Sequence, residues 1–185
     1  MKQKFFTRRQ LDTIYNWIDR HPDDICAIFL DVLASTGCRV DELMRIQRSS
    51  INNTERTITI ERGSKGSQSR TRRLNAKLLS NLNAMLDREK IGPHDLIRDT
   101  ISKASINCAK VVLRHYFAKL KALMMPGEKC PGLHGFRHNK ALQVYESTKN
   151  IYMVKTALGH KSVASTEHYM EMIDENKNMD LFSGR

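Results

Sequence analysis

The chain has 185 residues, 40% hydrophobic and 28% charged, with 31 Lys+Arg against 20 Asp+Glu for a formal net charge of +11. That composition excludes a disordered or collagen-like chain, no apolar run approaches the ~18 residues of a membrane span, and no signal-type run follows Met1-Lys2-Gln3-Lys4, so a cytoplasmic protein is expected. The length suits one domain, and the charge points to a polyanionic partner, nucleic acid rather than a membrane because the basic residues are spread along the chain. Cys26, Cys38, Cys108 and Cys130 form no C-x-x-C pair and read as free thiols in a reducing compartment.

In chain order, residues 7–19 place Leu11, Ile14 and Ile18 at helical spacing, and Asp23 to Ser35 put Ile25, Ile28, Phe29, Val32 and Leu33 on one stripe. Gly37 is a natural stop for the second helix, and a short helix carrying Val40, Leu43 and Met44 follows, with Arg39 at the junction. From Arg56 the pattern alternates through Thr57-Ile58-Thr59-Ile60-Glu61. It then passes through Gly63-Ser64-Lys65-Gly66-Ser67 into Thr71-Arg72-Arg73-Leu74, which predicts a β-hairpin with a basic tip. Leu78, Leu79, Leu82, Met85 and Leu86 mark a further helix, and Lys103 to Leu123 a longer one that Met125-Pro126-Gly127 breaks. Beyond the Pro131-Gly132 loop, helical patterns cover Ala141 to Tyr145, Ile151 to Leu158 and Val163 to Met172. The expected architecture is mostly α with a small antiparallel β-sheet, one domain over residues 1–174 and a polar C-terminal tail over 175–185.

Several residues able to do chemistry fall at element ends: Arg39 after Gly37, Lys65 in the hairpin turn, His134 and Arg137 opening a helix, His160 after Gly159, and Tyr169 on the helix that follows. Two arginines can clamp the non-bridging oxygens of a phosphate and neutralise charge that grows in phosphoryl transfer, without a metal. A phenol with a reference pKa near ~10 needs a base and a cationic surrounding to act as a nucleophile at neutral pH. His134 and the two arginines provide both. Tyr116, Tyr145 and Tyr152 compete for the nucleophile's place, but they sit at apolar helical positions and read as core or interface residues, whereas Tyr169 lies between polar neighbours.

The stretches Thr36-Gly37-Cys38-Arg39-Val40-Asp41-Glu42-Leu43, Gly63-Ser64-Lys65-Gly66, His134-Gly135-Phe136-Arg137-His138, and Leu158-Gly159-His160-Lys161-Ser162 with Thr166 and Tyr169 resemble, in order and separation, the tyrosine recombinases of the phage-integrase type. The resemblance covers about residues 7–172. It implies the catalytic-domain fold of that family and site-specific DNA recombination through a 3′-phosphotyrosyl intermediate, without metal, ATP or other cofactor. Arg39 and Arg137 match the family's phosphate-binding arginines and Tyr169 its nucleophile. Lys65 matches the general acid for the leaving 5′ oxygen, and His134 the residue that assists proton transfer at the tyrosine. His160 matches the position that bonds or underlies the phosphate, and Glu42 an acid that orients its neighbours. The implied partners are double-stranded recombination sites and further copies of the chain, a tetramer in synapsis, with the tail's Leu181 and Phe182 docking on a neighbour.

The pattern departs from the family at Gly135-Phe136, where a Leu is usual, and at Asn139-Lys140, where small or aromatic residues are commoner; the sequence starts with the catalytic pattern where most members have a helical DNA clamp first, which fits either a fragment of a longer recombinase or a small catalytic-domain-only member. Within the hairpin, Ser67-Gln68-Ser69-Arg70 leaves open whether Lys65 or a nearby arginine is the acid. Arg62, Lys65, Arg70, Arg72 and Arg73, with Glu61 as the sole nearby acid, are expected to repel one another unless an anion lies against them, and so to contact DNA. Two rival functions remain at this level. One is a DNA-binding regulator that keeps the fold without turnover. The other is a zinc site built from Cys130, His134 and His138 with His160 or His168, which Pro131-Gly132 disfavours by keeping Cys130 off the helix of His134.

Overall fold

The computed structural model describes residues 3–63, 67–162 and 166. Helix α1 (Arg8–Arg20) starts at Thr7, whose hydroxyl accepts from the Gln10 N–H while the Gln10 side chain accepts from the Thr7 N–H, and buries Leu11, Ile14, Tyr15 and Ile18. Helix α2 (Ile25–Thr36) is capped by Asp24 and buries residues on nearly every side, which makes it the axis on which α1 and the later helices α4 and α6 pack. It stops at Gly37, in the left-handed region at φ 64°, and the chain reverses directly into α3 (Val40–Leu43).

The sheet is antiparallel in the order β1 (Ile51–Asn52), β2 (Thr57–Ile60), β3 (Arg70–Arg73). It has one short strand more than the expected hairpin, because two residues carry no alternation signal. Register puts Ile58 opposite Arg72 and Ile60 opposite Arg70. Directly opposed residues project from the same face, so Arg70 and Arg72 share the inward face of buried Ile58 and Ile60, while Thr71 and Arg73 face outward.

Helix α4 (Ala76–Arg88), capped by Asn75, buries the predicted Leu78, Leu79, Leu82, Met85 and Leu86. Helix α5 (Ile106–Met124) begins three residues later than expected because Ser105 caps it, and buries Ala109, Leu113, Phe117 and Leu120. Helices α6 (His134–Thr148) and α7 (Ile151–Leu158) pack on each other, and Gly159 ends α7 at φ 68°. The eight residues of α7 bury only Val154 and Leu158, so Tyr152, expected at a core or interface position, is 63% exposed in this chain. Tyr116 instead accepts from Trp17 Nε1 at 3.1 Å, and Tyr145 packs on the smaller core cluster.

Two departures from the family pattern have structural reasons. A Cβ on Gly135 would lie 2.6 Å from Pro131 Cβ and 2.7 Å from Phe6 Cε2, so α6 approaches the N-terminal segment only because no side chain stands there. Phe136 fills the resulting contact against Phe6 at a centroid distance of 4.9 Å. Asn139 clamps the backbone of Phe6, accepting from its N–H at 2.9 Å and donating to its carbonyl at 3.0 Å. Phe6 thereby enters the main core and Phe5 the smaller cluster of Ala141, Leu142, Val154 and Leu158. Among the described residues no helix is long and apolar enough to cross a membrane. The expected helix from Val163 to Met172 and the tail over 175–185 lie outside the described residues, apart from Thr166.

Candidate active site

The reversal at Gly37 delivers Arg39 to the N-cap of α3 and turns Glu42 back beneath it. Glu42 Oε2 accepts the Arg39 backbone N–H at 2.8 Å, and Oε1 lies 3.2 Å from Arg39 Nη1. The inward-facing Arg70 of β3 meets the same carboxylate, Nη2 to Oε2 at 2.7 Å, with side chains 4% and 1% exposed. Arg137, on the first turn of α6 and 1% exposed, places Nη1 at 3.9 Å from Glu42 Oε2. Its fork also donates to two backbone carbonyls, Gly37 at 2.8 Å and Leu158 at 2.7 Å. These are the residues at the ends of α2 and α7, so one guanidinium ties the two chain reversals together. Lys140, one turn along α6, lays its stem on Gly37: a Cβ there would lie 2.9 Å from Lys140 Cβ and Cγ.

Glu42 is therefore a buried anion at the meeting point of three guanidiniums. Burial alone would raise its carboxyl. Hydrogen bonds from Arg70, Ser67 and the Arg39 backbone, with the charge of Arg70, outweigh that and hold it down to about 2. His160 is also buried, its backbone N–H donating to Lys155 O at 3.0 Å and its ring Nδ1 lying 2.9 Å from Thr166 Oγ1. Burial, followed by the charges of Arg137, Arg39 and Arg70, brings its pKa down to about 4, so the imidazole is neutral at physiological pH. The unfolded chain takes up this proton near pH 6.5 and the folded chain only near 4. Stability should accordingly decline as pH falls through that window. Thermal midpoints of wild type and His160→Gln measured from pH 7.5 to 4 test this: the decline should be shallower in the variant, and equal slopes would contradict the assignment.

Arg39, Glu42, Ser67 and His134 line a cleft of about 700 Å³. His134, exposed at the start of α6, stands at its rim with its ring edge-on to His138 at 4.7 Å. Of the expected site residues, Arg39, Glu42 and His134 line this cleft, whereas Arg137, buried against Glu42, and His160 are sealed from it. Lys65 and Tyr169 lie outside the described residues, although Gly63 and Ser67, which bracket Lys65 in sequence, both face the cleft.

The expected basic face does not form as one surface. Arg70 is not an outward cation but the buried partner of Glu42, and the acid that balances it comes from α3 rather than from the hairpin. Arg72 is half-buried and caps α7, donating from Nε to Ala157 O at 3.1 Å and from Nη2 to Thr156 O at 2.7 Å. Arg62 and Arg73 remain exposed. Among the described residues no three His, Cys, Asp or Glu side chains are placed to hold a metal ion, and burial pushes the Cys130 thiol up to about 11; His168 of the considered zinc set lies outside them. Sequence reasoning missed Lys110 and Arg114, which bring α5 to the cleft. Their signal was the i, i+4 spacing of two cations flanking the apolar stripe.

The model of the phage integrase family matches residues 4–176, and the chain belongs to that family. It is 27% identical over 177 residues to the tyrosine recombinase XerA of Thermococcus onnurineus (strain NA1), a match spanning 94% of this chain and 60% of that protein. It is likewise 27% identical over 172 residues to the tyrosine recombinase XerC of Psychromonas ingrahamii, covering 88% of this chain and 55% of that protein. The chain therefore spans little more than half the length of these relatives. Its fold matches that of XerA recombinase, with TM-score 0.68 at 22% identity over 96% of this chain and 66% of that one. It also matches XerH site-specific recombinase bound to its difH substrate before cleavage, with TM-score 0.71 at 19% identity over 96% of this chain and 53% of that one. The mostly helical architecture with a three-stranded antiparallel sheet is thus that of the tyrosine recombinase catalytic domain.

Proposed function

We propose that this chain is the catalytic part of a site-specific DNA recombinase that cuts and rejoins strands through a 3′-phosphotyrosyl intermediate. The observation that carries the reading is the Glu42 hub, which fixes Arg39 and Arg137 against one another next to a cleft wide enough for a phosphodiester. Arg39, 28% exposed and turned to the cleft, takes a non-bridging oxygen, and Arg137, 1% exposed with its fork on Gly37 O and Leu158 O, takes the other only after DNA binding opens its pocket. The two positive charges stabilise the extra negative charge of the pentavalent transition state. His134 at the rim shuttles the proton of the Tyr169 phenol, and neutral His160 underlies the phosphate. Lys65 protonates the departing 5′ oxygen. The covalent link stores the energy of the broken bond, so rejoining needs no ATP, and the charge compensation supplied by the arginines needs no metal. Arg73, on the outer face of the sheet, and Arg62, just beyond β2, contact the DNA backbone. The partners are duplex recombination sites and further copies of the chain, assembled as a tetramer in synapsis, with the tail over 175–185 docked on a neighbour, all in the cytoplasm.

Strand exchange between two labelled duplexes, run in the presence of a chelator, tests this function against a DNA-binding regulator of the same fold. Joined product is expected. Tight, salt-sensitive binding with no joined product and no covalent protein on the DNA would favour the regulator.

A further inference from the structure

Two cations that line the cleft are not used by the proposed chemistry. Lys110 and Arg114 stand one turn apart on α5, and both face the cleft. Lys110 is already engaged: its Nζ donates to Asp41 Oδ1 at 3.0 Å, with side chains 17% and 27% exposed. Asp41 lies two residues after Arg39 on α3, and its second oxygen accepts from Arg45 Nε at 3.0 Å.

We propose that Lys110 is a contact for a DNA backbone phosphate next to the scissile one, and that Asp41 holds its place until DNA enters. The inference rests on the function proposed above. A strand that seats one phosphate against Arg39 carries its neighbours along the cleft, because a nucleic acid strand is a continuous row of phosphodiesters. The α5 wall is where such a neighbour arrives. The exchange suits the geometry in three respects. Lys110 trades one oxyanion for another and is never left without a counter-charge. Asp41 is not orphaned by the exchange, because Arg45 still faces its other oxygen. The Lys110 to Asp41 bridge is reached by solvent, which makes it weak and therefore exchangeable, whereas the Arg70 to Glu42 bridge beside it is sealed at 4% and 1% exposure and stays closed.

The test is a double-mutant cycle on equilibrium affinity for a site-bearing duplex, measured across salt concentrations with thermal midpoints taken in parallel. Lys110→Gln should weaken binding about 5- to 10-fold near ~0.1 M salt and reduce the slope of log K against log salt by about 0.9, the value for one lost phosphate contact. Asp41→Asn should strengthen binding several-fold in the wild-type background and not at all in the Lys110→Gln background. A salt slope unaffected by Lys110→Gln overturns the proposal. So does a gain from Asp41→Asn that survives in Lys110→Gln, since Asp41 would then act by simple repulsion. Weaker binding by Asp41→Asn, with a lowered thermal midpoint, would make Asp41 a strut of α3 and overturn it as well. If the wild type itself neither binds the duplex nor joins strands, the fault lies with the recombinase reading and not with the Lys110 exchange.

Discussion

Glu42→Ala is expected to cost about 3–5 kcal/mol of stability, the range measured when one partner of a buried ion pair is deleted. The carboxylate is 1% exposed and faces Arg70, 4% exposed, and Arg137, 1% exposed, so its loss leaves two sealed guanidiniums without a counter-charge. That is a large share of the ~5–15 kcal/mol available to a typical domain. Urea unfolding should show a fall in midpoint at unchanged slope. Glu42→Gln keeps the shape and some of the hydrogen bonds while removing the charge, and should fall between wild type and Glu42→Ala. The wild-type contribution of Glu42 is complete above its ordinary carboxylate value of 4.5 and disappears as pH falls toward about 2, and Glu42→Gln should remove that acid dependence. Loss of less than about 1 kcal/mol in Glu42→Ala would mean that the hub does not hold the site together.

The second large effect concerns rate rather than stability. If Arg137 acts as proposed, Arg137→Lys should lower strand cleavage on the order of 10²–10³-fold, the usual consequence of removing a donor to developing negative charge. Lysine keeps the positive charge, but an ammonium on a flexible stem cannot span Gly37 O and Leu158 O while presenting a flat edge to a phosphate. Affinity for the duplex should change far less, since one phosphate among many contributes to binding. Single-turnover cleavage at saturating protein separates the two terms. Cleavage at the wild-type rate would show that Arg137 is only a structural tie between α2 and α7.

The sequence made the helices legible because their apolar stripes and caps agree. Asp24, Gly37, Asn75 and Gly159 stand at helix ends in the structure, and the stripes of α4 and α5 are the buried ones. Clustering of Arg39, Glu42, Arg137 and His160 followed from their positions at element ends, which a compact helical fold brings together. Three features were less accessible, each because it depends on a tertiary neighbour. Arg70 looked like one more surface cation, and its burial depends on Glu42 arriving from α3. The strand alternation that pairs it with Ile60 was nevertheless a readable sign that it faced inward. Tyr152 sat at an apolar helical position, but α7 is short and has a neighbour on one side only, so the opposite side stays exposed. Lys110 and Arg114 showed only the i, i+4 spacing of two cations, and the packing of α5 beside α3 is what brings them to the cleft.

The most direct measurement is to incubate wild type and Tyr169→Phe side by side, with chelator present, on nicked suicide duplexes whose cleaved end cannot be rejoined, and to run the products on a denaturing gel. The account predicts a protein–DNA band with wild type alone, traced by peptide mapping to Tyr169, while both proteins bind the duplex equally well. A covalent band that persists in Tyr169→Phe, or none in wild type despite tight binding to its own sites, would contradict it.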